Sequence, residues 1–204
     1  MHGPPSSSQP PPSPPPSSDR VLISRRASDI QPEAIHWLWP QRISKGKLCL
    51  IAGPPGLGKS QVTTYTAAIV SSGGTWCSGE KCEVGDVFIL SAEDDPSDTI
   101  RPRLEACGAD LDRVHVIEAV HMRIVKRDRP FILKYDLDTL AEKLVASPDT
   151  KLVIIDPISA YLSGVNSYKN VEVRSVLAPL AKLAADHGVA VVCVTHLNKG
   201  HSND

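Results

Sequence analysis

The sequence predicts an α/β fold: a parallel sheet of about five strands with helices on both faces. Two observations predict it. From residue 47 onward, short apolar runs alternate with segments of helical periodicity. The first run is followed by Gly53-Pro54-Pro55-Gly56-Leu57-Gly58-Lys59-Ser60, which meets every fixed position of the phosphate-binding pattern G-x-x-x-x-G-K-[ST]. Strands that are apolar throughout are buried on both faces, and parallel pairing requires crossover helices.

The elements follow in order. Residues 1–20, MHGPPSSSQPPPSPPPSSDR, have almost no side chains to bury. A disordered or polyproline-like tail is expected over 1–28, read as a passive linker rather than an SH3-type ligand. The core then spans 29–204, with Ile35, Trp37, Leu38 and Trp39 supplying packing surface before the first strand. Lys47 to Ala52 is that strand, and Gln61 to Ser71 is the helix after the loop. Gly73 to Gly85 is a turn or short hairpin. Asp86 to Ser91 is a second strand, and Pro96 suits the first position of the helix that continues to Cys107. Pro102 requires a kink there or a later start. Val114 to Ile117 is a short third strand, followed by an irregular segment to Pro130 in which Arg123, Lys126, Arg127 and Arg129 cluster. Asp136 to Ala146 is helical, Lys151 to Asp156 a fourth strand, and Val171 to His187 a long helix with a kink expected at Pro179. Val189 to Thr195 is the fifth strand.

The loop carries the clearest chemistry. Gly53, Gly56 and Gly58 permit a tight turn whose backbone N–H groups converge on anionic oxygens. Lys59 then reaches β- and γ-phosphates, and the Ser60 hydroxyl is placed for Mg²⁺. The helix N-terminus beginning near Gln61 adds its dipole. Residues 53–61 (Gly53, Pro54, Pro55, Gly56, Leu57, Gly58, Lys59, Ser60 and Gln61) are the predicted nucleoside triphosphate site. Asp156 ends the fourth strand. Alone it reads equally as a turn cap, but beside the loop it is the carboxylate of the Mg²⁺ shell, acting with Ser60 and through water. Glu93 ends the second strand, where a carboxylate can orient and deprotonate water. Asp94 and Asp95 are alternatives, one of them capping the helix at Pro96, and crowding of the three acids should raise at least one pKa. His196 ends the fifth strand, placed to sense a γ-phosphate. The Asn198-Lys199-Gly200-His201 run lacks the Asp of a guanine-reading motif, which favours ATP over GTP.

Composition narrows the class. Lys plus Arg total 22 against 23 Asp plus Glu, so no global basic field points to nucleic acid. Cys49, Cys77, Cys82, Cys107 and Cys193 lack zinc-ligand spacing. A reduced, cytoplasmic protein without structural metal is expected, and no apolar run is long enough to span a membrane.

Taken together, Trp37-Leu38-Trp39-Pro40, GPPGLGKS, Ser91-Ala92-Glu93-Asp94-Asp95-Pro96, Ile155-Asp156-Pro157-Ile158-Ser159-Ala160-Tyr161-Leu162 and Thr195-His196-Leu197-Asn198-Lys199 resemble the RepA-type branch of the RecA-like ATPases. That branch holds hexameric plasmid replicative helicases and AAA-type phage and mobile-element ATPases. The resemblance covers roughly residues 30–200. It implies a RecA-like P-loop NTPase core in which Glu93 is the catalytic glutamate, Asp156 the Mg²⁺-associated aspartate and His196 the γ-phosphate sensor. It also implies a homo-hexamer when full length, with single-stranded DNA as a partner. RecA-like cores usually continue past this histidine, so a core incomplete at the C-terminus is expected, with an uncovered edge strand and no arginine finger. Arg123, Arg127 or Arg129 could substitute across a subunit interface.

Three functions compete. The first is the ATPase of a DNA helicase or replication motor, with Ser159 to Lys169, including Tyr161, Tyr168 and Lys169, as its DNA-facing loop. The second is a recombinase-like filament ATPase, and the third a nucleotide-binding regulatory module that hydrolyses weakly.

Overall fold

A computed structural model describes residues 21–163 and 170–196. The expected tail over 1–20 lies outside the described residues, as do Tyr168, Lys169, Asn198 and Lys199. The chain divides into two units, Met1–Ala34 and Ile35–Asp204. Among the described residues of the first, a 3-10 turn at Ala27–Asp29 buries none of its residues.

The second unit opens with a hairpin of β1 (Trp37–Trp39) and β2 (Ile43–Ser44). Leu38 and Trp39 are buried, but Ile35 and Trp37 remain exposed, so only half of the expected packing surface is used. After β3 (Leu48–Gly53), α1 (Lys59–Ser72) and β4 (Asp86–Ser91) come α2 (Arg101–Ala106) and β5 (Val114–Val116). Then follow β6 (Val120–Met122), β7 (Arg127–Arg129), α3 (Leu133–Ala146), β8 (Thr150–Asp156), α4 (Asn170–His187) and β9 (Ala190–His196). Five strands form one parallel sheet in the order β3-β9-β8-β4-β5. The predicted α/β class and strand number hold.

Pleating divides the core into two layers, because successive strand side chains point to opposite faces. Phe88, Leu90, Val153, Ile155, Val191 and Cys193 meet Leu140, Leu144, Leu180 and Ala184 of α3 and α4. Their neighbours Val87, Ile89, Leu152, Ile154 and Val192 meet Ala67 and Val70 of α1 and Leu104 of α2. Burial pushes the Cys193 thiol up to about 12, as befits a cysteine packed as a small hydrophobe. Trp76 completes this layer, stacked on Trp39 with centroids 4.5 Å apart and its indole N–H donated to the Leu38 carbonyl.

Local chemistry explains several boundaries. α1 stops where Gly73 adopts φ 61° and returns its N–H to Ile69 and Val70. Gly85 is required for close approach: a Cβ there would lie 2.2 Å from Lys151 Cγ and 2.6 Å from the Asp149 carbonyl. Pro102 falls in the first turn of α2, which starts after a π-turn over Pro96–Ile100. This is the later start that the proline required. Pro179 lies inside α4, which runs as one element.

One expectation is corrected. The segment from Glu118 to Pro130 is not irregular: Val120–Met122 and Arg127–Arg129 pair antiparallel. The five-stranded sheet has β3 and β5 at its edges, and β9, last in chain order among the described strands, is interior. The new hairpin is tied to α3 by Asp136, which is 2% exposed. Its carboxylate takes two guanidinium bonds from Arg129, each 2.6 Å, and the Ile132 N–H at 2.7 Å. That bond to the residue preceding α3 starts the helix at Leu133, earlier than its apolar periodicity indicates.

Candidate functional site

β3 delivers the loop at its carboxyl end, and the loop turns directly into α1. Gly56 and Gly58 take φ 78° and 75°, a region that L side chains rarely adopt. A Cβ on either would meet nothing within 4 Å, so the backbone angle demands glycine, not crowding. Gly53 does not have a positive φ and serves as the last residue of β3, which narrows the reading of three turn glycines to two. α1 has no side-chain cap and no acid in its first turn, so its positive dipole end is left for an anion.

Lys59 is 8% exposed and donates to the Gly53 carbonyl at 3.0 Å and the Pro54 carbonyl at 2.7 Å. Among the described residues no carboxylate pairs with it. A buried ammonium held only by loop carbonyls fits phosphate oxygens.

The neighbouring strand ends supply acids. Gly53 of β3 is in register with His196 of β9, and Ser91 of β4 with Asp156 of β8. Asp156 is 8% exposed. Burial raises its pKa, the charges of Asp94 and Glu93 push the same way, and a bond from Ser60 and the proximity of His196 oppose them. The Thr63 hydroxyl lies 3.5 Å from its Oδ2. Such an acid is short of positive charge, and a divalent cation would supply it. Among the described residues no group of three or more metal-ligating side chains is gathered. Asp156 beside Ser60 fits the one or two carboxylates that Mg²⁺ takes before phosphate oxygens and water complete its shell.

Pro55, Gly56, Gly58, Lys59, Ser60 and Gln61 line one side of a cavity of about 470 Å³. Glu93, Asp156 and His196 line it too. Of the other predicted site residues, Gly53 and Pro54 contribute carbonyls to Lys59, and Leu57 is 69% exposed. Glu93 Oε1 is 3.6 Å from His196 Nε2, while His196 Nδ1 is buried without a hydrogen-bond partner among the described residues.

Of the three clustered acids, Asp95 caps the π-turn by accepting from Ser97 and Asp98 N–H groups, and its pKa falls. The acid whose pKa is raised is Asp156, outside that trio, and burial rather than crowding is the main cause. Asp94 lines the same cavity and is paired there, with Oδ2 2.8 Å from Arg103 Nη1. Arg103 and Ser91 also line the cavity, and sequence reasoning missed both. The π-turn shifts helical phase ahead of α2, so counting at 3.6 residues per turn from Pro96 could not aim Arg103 inward. Tyr161 is a further correction. It is 7% exposed and packs edge-on against Phe131 at 6.2 Å, so it cannot serve a DNA-facing loop. Burial and the nearby Asp156 charge push its hydroxyl up to about 12.

A protein family described as AAA domain matches residues 9–202. No curated protein matches the chain.

Proposed function

The chain belongs to the AAA domain family of P-loop ATPases, and from that premise we propose that it is the Mg²⁺-dependent ATP-hydrolysing core of a RepA-like DNA helicase or replication motor. One observation carries the reading: Lys59, the Ser60–Asp156 pair, Glu93 and His196 border a single cavity.

In this reading the triphosphate lies against the backbone of the loop, and Lys59 turns from its carbonyls to the β- and γ-oxygens. Ser60 and, through water, Asp156 would hold Mg²⁺, which would supply positive charge at those phosphates. Glu93 accepts a proton from water as the water oxygen bonds to the γ-phosphorus. The bond from that phosphorus to the bridging oxygen breaks, leaving ADP and phosphate. His196 senses loss of the γ-phosphate and passes it to the segment that follows β9. We place the protein in the cytoplasm as a homo-hexamer acting on single-stranded DNA. Among the described residues no helix is long and apolar enough to cross a membrane.

The test is ATP turnover with and without single-stranded DNA, followed by strand displacement. The expected result is slow turnover that single-stranded DNA stimulates, with strand displacement expected of the full-length hexamer. Stimulation without displacement indicates a filament ATPase, and binding without turnover a regulatory module.

A further inference from the structure

The β6–β7 hairpin contributes nothing to the nucleotide cavity, yet its tip is chemically distinctive. Ile124 is 97% exposed and Val125 53%, at the turn where Lys126 takes φ 50°. Arg123, Lys126 and Arg127 flank them, and their side chains have no partner among the described residues. Two nearby acids are already occupied, although Glu142 lines a cavity with Arg123. Asp128 is 2.6 Å from His121, and Asp136 holds Arg129. By contrast, Arg101, Arg103, Arg113 and Lys182 are each paired with a carboxylate. In a chain of net charge -1, three unpaired cations within five residues form a local positive point.

We infer that this hairpin is a contact surface for duplex DNA, with Arg123, Lys126 and Arg127 on phosphates and Ile124-Val125 against a groove. The inference rests on the reading of the chain as a DNA-coupled ATPase. A two-stranded ribbon fits a duplex groove, and guanidinium groups match phosphate oxygens bidentately. Isoleucine is among the apolar side chains that wedge against base steps. Single strands are held chiefly by aromatic stacking, and this tip has no aromatic residue. A lipid surface calls for a broad apolar face, whereas here two aliphatic residues are bounded at once by charge.

The test measures binding of a labelled duplex to the full chain by fluorescence anisotropy between about 50 and 200 mM salt. A single strand of equal length and phosphatidylserine vesicles run in parallel. Three phosphate contacts contribute about 2.7 to the slope of log K against log salt. The triple variant Arg123→Gln, Lys126→Gln, Arg127→Gln should lose about that slope and at least roughly tenfold in affinity near 100 mM. Ile124→Ser should weaken binding with the slope unchanged. Both variants should bind a fluorescent ATP analogue like the wild type, which certifies the fold. Duplex binding that both variants leave intact would overturn the hairpin assignment while sparing the DNA-coupled reading. No binding to either DNA form would overturn both. Hairpin-dependent binding to vesicles or to single strands in preference to duplex would identify a different partner and sink the inference.

Discussion

Replacing Lys59 by alanine removes the one cation that the loop turns toward its ligand. At about 4 Å and an effective dielectric near 20, a unit charge contributes about 4 kcal/mol to holding an anion. The two carbonyl bonds that Lys59 makes at 3.0 and 2.7 Å must be given up on binding. Each has a net worth of about 1 kcal/mol, and partial replacement by water reduces that cost. A loss of about 3 kcal/mol follows, on the order of a hundredfold in Kd. Calorimetric titration of Mg–ATP into wild type and Lys59→Ala measures it, with thermal melting without nucleotide showing that the variant is folded. Lys59→Arg keeps the charge but not its shape and should recover only part of the affinity. Equal affinity in wild type and Lys59→Ala would refute the phosphate-loop reasoning.

Glu93→Gln should keep ATP affinity within about twofold and slow turnover by at least about a hundredfold, because the amide cannot take the water's proton. If Asp94→Asn stops hydrolysis and Glu93→Gln does not, the base has been misassigned. Asp156→Asn should raise the melting temperature of the nucleotide-free protein by about 2–4 °C, since it removes a buried charge whose raised pKa marks it as disfavoured. The same variant should lose Mg²⁺-dependent ATP binding, and a lowered melting temperature would contradict the account of that carboxylate. At Asp136 burial raises the pKa, but Arg129 and the Ile132 N–H outweigh it and the net shift is downward. Its stabilisation is therefore full above the unfolded value of about 4 and is lost as pH falls through the lower folded value. Asp136→Ala should cost about 3 kcal/mol by urea unfolding at pH 7, with the gap to wild type narrowing on acidification below about pH 4. A gap independent of pH would exclude the ion pair as its source.

The alternation of apolar runs with helical segments was sufficient to read the sheet, because buried parallel strands leave a strong local signal. The loop was legible for the same reason: Gly56, Gly58, Lys59 and Ser60 are contiguous, so their spacing survives without tertiary knowledge. What escaped depended on contacts distant in sequence. The β6–β7 hairpin has one charged strand, Arg127-Asp128-Arg129, whose composition does not favour a strand until Asp136 fixes Arg129. Tyr161 looked available because nothing local indicates that Phe131 covers it. Arg103 needed the helical phase set by the π-turn. Gln61 and Pro55 line the cavity as the loop spacing implied, whereas the loop pattern alone did not reveal that Leu57 is left to solvent.

The strand order has a consequence for the birth of the molecule. Among the described strands, β3 pairs only with β9, and Gly53 and His196 stand opposite each other across roughly 140 residues of chain. Synthesis at about 5–20 residues per second therefore separates the making of the two by about 7–30 s. Until β9 is made, the strand carrying the phosphate loop has no partner in its own sheet, although β4 and β8 can already pair. The nascent chain must keep the Leu48–Gly53 segment from foreign strands throughout that interval. Nucleotide affinity should consequently appear late on the ribosome and abruptly, when β9 closes between β3 and β8.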